Sequence, residues 1–470
     1  MIEAAPGAPP TSVVLWSADA DVMALPAPPG IILRVARDPS DTDADVVAVL
    51  ESGCMVLPTG LGQAVDRLLA GGLDAVLTAT RRSDGRVYQP VPWSVIQGRH
   101  WACTGGLVVV RADAVDRAGG LDPELGDDAL HDVLMALGPD AQVGVSSVAG
   151  AISSAAPSSP ARPRHHAAAV LARAAARAAA PPTIEGIPGL AGAFRPVRAA
   201  ARARPLVTLV VPTRDHPELV AMAERTIRMA GSSRVEAVFV DNGTTDPAAR
   251  ARLGRTPHRV LAAPIPFNFA RLANRGVAAA RGDVVVLLNN DVEALDHGWV
   301  DPLIDELEDP STGVAGSLLL YPSGTIQHCG IVVHDGVPQH ALVGVAPADA
   351  PSWAVGVPGD RTAVTGACLA MRRSNWRHMG GMSAPLATNY NDVDLCLRVA
   401  AEGMRVAFTP FAPLVHHESE SRGRLSTPEV AADWLLFRSR WDHVLHAPDR
   451  WWPADVRPDD GRPRMVPQVA

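Results

Sequence analysis

RGDVVVLLNNDVEALDHGWV, residues 281–300, is the stretch whose reading decides the fold. An apolar β-run from Val284 to Leu288 stops abruptly at Asn289, Asn290 and Asp291. Upstream, LVTLVVP (206–212) and EAVFVDN (236–242) end the same way. Helical stretches are expected near 217–230 and 269–280, between and after these runs. Strands separated by helices of this length imply a parallel sheet with crossovers. In such a sheet ligands bind beyond the C-terminal strand ends, so the polar residues that follow each run come under scrutiny first.

The same alternation occupies residues 13–148, with VVLW (13–16), VVAVL (46–50), AVLTAT (75–80) and LVVV (107–110). Two of its blocks echo the later region in the same order. DADVVAVLESGCMVLPTGLGQAVDRLLAGGLDAVLTATRRSDGRVY (43–88) parallels RGDVVVLLNNDVEALDHGWVDPLIDELEDPSTGVAGSLLLYPSGTI (281–326), and TGGLVVVRADAVDRAGGLDPEL (104–125) parallels TGACLAMRRSNWRHMGGMSAPL (365–386). Where the second copy has Asn289, Asn290 and Asp291, the first has Glu51, Ser52 and Gly53, and Leu130 stands in the place of Asp392. The first copy therefore lacks the carboxylates that would hold a metal or take a proton. It reads as structural or partner-binding.

Four segments follow: an α/β unit over 1–150, an Ala/Pro/Arg-rich linker with one helix over 151–204, a second α/β unit over 205–425, and a C-terminal helix and tail over 426–470. The chain has 470 residues, 47% hydrophobic, enough for a core in each unit. A net charge of -8 argues against a nucleic-acid partner. Cys54, Cys103, Cys329, Cys368 and Cys396 form no CxxC pair and read as reduced core residues, which suits a cytoplasmic protein. No apolar run approaches the ~20 residues of a bilayer span. Arginines of the linker, among them Arg162, Arg164, Arg173 and Arg177, suit peripheral contact with an anionic membrane surface; a solvated linker is the plainer reading.

The strand ends supply the candidate chemistry. Asp241, in FVDNGTTD, suits a ribose hydroxyl or nucleobase imide, or else a turn. In an extended segment residues i and i+2 face one side, so Asn289 and Asp291 converge on one ligand, and such oxygen donors suit Mg²⁺ or Mn²⁺ on a diphosphate. In YNDVDLCLRVAAEGMRV (390–406) Asp394 fits a cap and leaves Asp392 free as a base. In VHHESESRG (415–423) adjacent histidines of an extended segment point opposite ways, so one of them, with His416 as the candidate, reaches the cation. Arg422 suits phosphate oxygens. Gln327, His328 and His340 are open between an acceptor-lining and a core or loop role.

On LVVPTRD, VFVDNGTTD, FNFARLANRGVAAARGDVVVLLNNDVE, SGTIQHCGIVV, TGACLAMRRSNW, NDVDLCLRVAAEGMRV and HHESESRG, residues 205–425 resemble the family 2 glycosyltransferases, in particular rhamnosyltransferase-like and O-antigen-type bacterial members. The resemblance implies an inverting enzyme of GT-A type: a Rossmann-like, mostly parallel mixed sheet flanked by helices, with a degenerate GT-A-like domain in front. It implies a UDP- or dTDP-linked sugar as donor and a hydroxyl of a glycan or lipid-linked glycan as acceptor. Asp392 is then the general base, Asn289–Asp291 the counterpart of the metal motif with His416 beside it, and Thr213, Asp241, Asn274, Asn289 and Arg422 the donor contacts. Asn289 departs from the family pattern, which has a carboxylate there. FRSRW (437–441) is similar to the QxxRW signature of processive members but has Phe437 where Gln belongs. Two other classes stay open: a sugar-nucleotide-forming nucleotidyltransferase, although VVPTRDHPELV lacks the glycines of its phosphate loop, and a non-catalytic carbohydrate-binding scaffold.

Overall fold

A computed structural model describes residues 10–18, 27–36, 42–101, 106–153, 167–176, 182–190, 193–197, 204–231, 234–417, 427–453 and 456–461. The chain divides into two compact units, 1–201 and 202–470.

In the first unit, β1 (Thr11–Ser17), β2 (Ile31–Val35), β3 (Val46–Leu50), β4 (Cys54–Val56), β5 (Ala75–Arg82), β6 (Val87–Tyr88), β7 (Leu107–Arg111) and β8 (Val143–Ser153) form one sheet. Its order is β2-β1-β3-β7-β5-β8-β4, with β6 paired to β5. Every residue of β3 is buried, and the pleat sends alternate side chains to opposite faces. Val47 and Val49 join one core with Val108, Val110 and the helix Ala129–Leu137. Val46, Ala48 and Leu50 join the other with Leu61, Val65 and Leu68 of the helix Pro58–Ala70. Two apolar faces on one strand thus call for helices on both sides of the sheet.

The Ala-rich helix read into the linker is present at Ala167–Ala176, but it does not stand free. Ala167, Val170 and Leu171 are buried, and Arg173 reaches Asp122 at 2.7 Å and Asp132 at 3.6 Å. A hairpin of β9 (Thr183–Gly186) and β10 (Phe194–Val197) follows, held to the unit where Phe194 N–H donates to His100 O at 2.7 Å. This part of the linker segment is therefore folded into the first unit, because its small and apolar side chains complete that core. Of the linker arginines, Arg162, Arg164 and Arg177 lie outside the described residues or side chains.

The second unit contains β11 (Leu206–Thr213), β12 (Arg234–Asp241), β13 (Arg259–Ala262), β14 (Val284–Leu288), β15 (Val292–Ala294), β16 (Thr312–Leu320), β17 (Ile326–His328), β18 (Ile331–His334), β19 (Val337–His340), β20 (Gly359–Asp360), β21 (Cys368–Arg372) and β22 (Arg405–His416). The main sheet runs β13-β12-β11-β14-β21-β16-β22-β15. From β13 to β14 the pairing is parallel, as the strand and helix alternation implied. At β14 it changes: β21 is antiparallel to β14 and β16, β16 and β22 run parallel, and β15 is antiparallel to β22. The sheet is mixed, and its parallel half carries the strand ends singled out above. The helices Pro217–Arg228 and Phe269–Ala279 serve as the crossovers.

The two sheets share one plan. The sequence β1-β3-β7-β5-β8-β4 corresponds to β11-β14-β21-β16-β22-β15, with the same parallel or antiparallel relation at every neighbouring pair. The hairpin strand β6 on β5 likewise matches β17 on β16. Even a backbone bond recurs: Glu51 N–H donates to Gly106 O, as Asn289 N–H donates to Ala367 O. The internal repeat thus runs through hydrogen bonding as well as residue order. Gly53 stands at φ 73°, a left-handed conformation that disfavours any side chain at the place Asp291 fills in the second unit. Among the described residues no helix is long and apolar enough to cross a membrane.

Candidate active site

Thr213 and Asp241 are register partners at the adjoining ends of β11 and β12. Asp241 Oδ1 accepts from Thr244 N at 2.8 Å and Thr244 Oγ1 at 2.6 Å, a turn that fixes the carboxylate as the strand ends. Asp215, after β11, closes the neighbouring loop by accepting from the backbone N–H groups of Thr245 and Asp246, which hold its carboxyl below the ordinary range. Thr213 is buried, and its Oγ1 accepts from Asn290 Nδ2 at 3.2 Å. That bond ties the end of β11 to the end of β14.

Asn290 therefore points toward β11, while its two neighbours point the other way. Asn289 Nδ2 lies 3.4 Å from His416 Nε2, and Asp291 Oδ1 lies 3.2 Å from the same nitrogen. The segment expected to be extended is a turn, with Val292 N–H donating to Asn289 O at 3.3 Å, and it is this turn between β14 and β15 that brings the i and i+2 side chains to one point. His416 arrives there because Val292 of β15 pairs with it across the antiparallel ladder. His417, one residue on, turns instead to Glu293 Oε2 at 2.9 Å.

The orientation of His416 has a definite cause. Gln327 Nε2 donates to His416 O at 3.3 Å, which fixes the amide so that Oε1 faces His416 Nδ1, 2.6 Å away. An amide oxygen only accepts, so Nδ1 carries the proton and the Nε2 lone pair looks toward Asn289 and Asp291. Among the described residues no three of His, Cys, Asp and Glu gather to hold a metal. The ligating groups here are one carboxylate and one imidazole, with the Asn289 amide beside them facing His416 through Nδ2, and Gln327 behind the imidazole as ligand-orienting groups commonly stand. Oxygen and nitrogen donors of this kind fit a divalent cation whose other positions are filled by diphosphate and water. Gln327, left open between acceptor and core roles above, is thus an orienting residue, and only its long-range pairing shows it.

Because β21 runs antiparallel to β14, its N-terminal lead, Thr365 to Ala367, lies at the C-terminal end of β14. Ala367 O accepts from Asn289 N at 3.0 Å, and Gly366 N donates to Asp392 Oδ2 at 2.8 Å. Asp392 Oδ1 accepts from Val393 N at 2.9 Å. Asp392 is partly exposed in the first turn of the helix Asn391–Ala401, where the helix dipole favours a carboxylate. Nearby, His328 is buried with its Nδ1 3.1 Å from His340 Nδ1, and burial, then the other histidine, pushes it well below the usual imidazole range. Neutral and enclosed, His328 belongs to the packing beneath the Thr365 turn, whose N–H reaches its Nε2 at 3.3 Å.

Two expectations are corrected. Asp394 does not cap its helix: Tyr390, at φ 60°, is the N-cap residue, and Asp394 is buried. Its Oδ2 accepts from Arg398 Nε at 2.9 Å, and its Oδ1 from Arg440 Nη1 and Trp441 Nε1, each at 3.1 Å. Asn274 is not free to contact a donor, since its amide is engaged at both ends with the backbone of Met382, at 2.8 and 2.9 Å. Arg422 and Glu418 lie outside the described residues. Cys329, Cys368 and Cys396 are buried free thiols, and burial pushes Cys329 and Cys396 up to about 12.

Residues 208–327 match the family model described as Glycosyl transferase family 2. A Sinorhizobium fredii protein named Uncharacterized protein y4gI is 35% identical over 257 residues, 53% of this chain and 28% of that protein. The O-antigen biosynthesis protein RfbC of Myxococcus xanthus is 33% identical over 253 residues, 51% of this chain and 19% of that protein. The N-acetylglucosaminyl-diphospho-decaprenol L-rhamnosyltransferase of Mycobacterium tuberculosis is 26% identical over 257 residues, 49% of this chain and 81% of that protein. The chain thus spans less than a third of the length of the first two relatives. Among solved structures, a mannosyltransferase from Pyrobaculum calidifontis in complex with GDP-Man and Mn²⁺ gives a TM-score of 0.40 at 16% identity, over 54% of this chain and 69% of that one.

Proposed function

We propose that this chain, whose residues 208–327 match the Glycosyl transferase family 2 model, moves a hexose from a nucleotide diphosphate to a hydroxyl of a cell-surface polysaccharide or lipid-linked glycan precursor, with inversion. The observation that carries the reading is the meeting of Asn289, Asp291 and His416 at the end of β14, with Asp392 hooked to the adjoining turn.

Asp291 and His416, with Asn289 alongside, would hold Mg²⁺ or Mn²⁺, which when bound neutralises the departing diphosphate. Asn289 carries no charge, so the protein contributes one carboxylate to that grip, and phosphate oxygens must supply more of the negative charge. Asp241 Oδ2 carries no bond among the described residues and is available to a nucleoside hydroxyl or imide, with Thr213 beside it. Each oxygen of Asp392 accepts one backbone N–H, which leaves lone pairs for the proton of an acceptor hydroxyl. The acceptor oxygen bonds to the anomeric carbon as the carbon–phosphate-oxygen bond breaks on the opposite face, and the proton goes to Asp392.

The degenerate first unit, with Glu51, Ser52 and Gly53 at the equivalent strand end, is read as non-catalytic. Cytoplasmic residence, with peripheral membrane contact through the arginine-rich segment, suits a lipid-linked acceptor.

The test is release of free nucleoside diphosphate from a panel of UDP- and dTDP-hexoses with Mn²⁺ and an N-acetylglucosaminyl-diphospho-polyprenol acceptor, for the wild type, Asp291→Asn and Asp392→Asn. Asp392→Asn is expected to bind donor as the wild type does and to lose roughly 10²-fold or more in turnover. Full turnover in that variant would remove Asp392 as the base, and donor binding indifferent to both Mn²⁺ and Asp291→Asn would remove the metal site.

A further inference from the structure

The helix Thr427–Leu445 lies beyond the residues that the family model matches, and the FRSRW motif within it has no part in the reaction as derived so far. Four of its side chains nevertheless converge on the segment that delivers Asp392. Asp433 is a buried carboxylate that accepts three successive backbone N–H groups, from Ala387 at 3.2 Å, Thr388 at 3.0 Å and Asn389 at 2.9 Å. Phe437, fully buried, stacks on Tyr390 with ring centres 4.9 Å apart and an interplanar angle of 20°. Arg440 and Trp441 donate to Asp394 Oδ1. These contacts bracket Asp392 on both sides, at 387–390 and at 394.

The bracketed segment needs such support. Tyr390 holds φ 60°, a left-handed conformation that is unfavourable for a residue bearing a Cβ and persists where surroundings impose it. The stack with Phe437 supplies that imposition, and the Asp433 carboxylate fixes the three residues before it. Asp394 is buried, so removal of either Arg440 or Trp441 takes one of the two donors from Oδ1, while Arg398 keeps Oδ2 paired, and loosens the hold of the C-terminal helix on the first turn that Asp392 occupies.

We propose that Asp433, Phe437, Arg440 and Trp441 are positioning residues for Asp392, and that the RW pair acts by gripping Asp394 rather than by touching a sugar. The inference rests on Asp392 being the general base. Trp441 Nε1 is directed into Asp394, which engages the indole's one hydrogen-bond donor.

The test compares Trp441→Phe, which keeps a ring and removes the N–H, with Asp433→Asn, Asp392→Asn and the exposed control Arg438→Ala, all in the full chain. On a UDP- or dTDP-hexose that the wild type turns over, Trp441→Phe and Asp433→Asn are expected to lose about tenfold or more in kcat, the scale of one charge-assisted hydrogen bond, with donor KM within about twofold. The acidic limb of the pH profile should shift in both and remain in Arg438→Ala. Amide exchange at Ala387, Thr388 and Asn389 gives a readout that needs no substrate, and it should quicken in both variants. Wild-type kcat, pH profile and exchange in Trp441→Phe would overturn the proposal even if Asp433→Asn does not fold. So would a loss of donor affinity that matches the loss of kcat. Activity retained in Asp392→Asn sinks the base assignment instead, whatever the other variants do.

Discussion

Gly366 N–H donates to Asp392 Oδ2 across 2.8 Å, and the next residue's carbonyl takes the N–H of Asn289. A turn of three residues therefore joins the proposed proton acceptor to the proposed cation site. The two groups that the reaction needs are held to one another by backbone, which has fewer degrees of freedom than a pair of long side chains.

That turn tolerates little bulk. A Cβ built on Gly366 would lie 3.2 Å from Phe269 Cε1 and 3.5 Å from Asp392 Cβ, so one neighbour must give way by a few tenths of an ångström. Gly366→Ala is expected to fold and to bind nucleotide diphosphate as before. Its turnover should fall about tenfold or more, as displacement of a positioned group by a fraction of an ångström typically does. Single-turnover kinetics beside nucleotide titration separates the two, and a variant with wild-type turnover would show that the turn does not govern Asp392.

Much of this was legible from residues alone, and the reason is local geometry. The polar ends of β11, β12 and β14 and the opposed directions of His416 and His417 follow from strand periodicity over a few residues, whereas Asn289 and Asp291 meet through a turn and not through the extended segment that periodicity implies. The internal repeat was legible because apolar runs and glycines recur at matching spacings. Gln327 was not assigned, since its partner His416 is 89 residues away and no period links them. Asp394 reads as a cap because an acid near a helix start ordinarily is one. Its true partners, Arg440 and Trp441, lie 46 and 47 residues downstream. Asn274 likewise has the look of a ligand contact, and its amide serves the Met382 backbone, 108 residues away.

The first unit should carry a measurable acid sensitivity. His100 is buried, and burial pushes it from 6.5 to about 4 although its Nδ1 donates to Phe194 O at 3.0 Å. In the unfolded chain the imidazole protonates near its ordinary value, so between about pH 6.5 and 4 the unfolded state binds the extra proton. Stability from the neutral ring is thus fully present above pH 6.5 and lost as the pH falls toward 4, by about 3 kcal/mol in all. His100→Asn, whose Nδ2 can replace the donor to Phe194, should flatten the decline in melting temperature between pH 7 and 5. An unchanged slope would assign the acid sensitivity elsewhere.

Gln327 offers the sharpest separation of metal from nucleotide. Its Oε1 holds His416 Nδ1 in the protonated form, and its Nε2 anchors it to the His416 carbonyl, so the ring cannot rotate or exchange tautomer without losing a bond. Gln327→Leu keeps most of the buried volume and removes both contacts. The imidazole then presents either nitrogen to Asp291 and Asn289, and the fraction with a lone pair on the cation side falls. Loss of such an orienting partner typically costs 10- to 100-fold in metal affinity. Titration of a nucleoside diphosphate should therefore show a weakened response to Mn²⁺ in Gln327→Leu, with Mn²⁺-free affinity unchanged. Gln327→Glu, which keeps an acceptor at Nδ1, should recover most of the loss. Equal weakening with and without Mn²⁺ would mean that Gln327 shapes the nucleotide pocket itself, and His416 would lose its place among the cation's ligands.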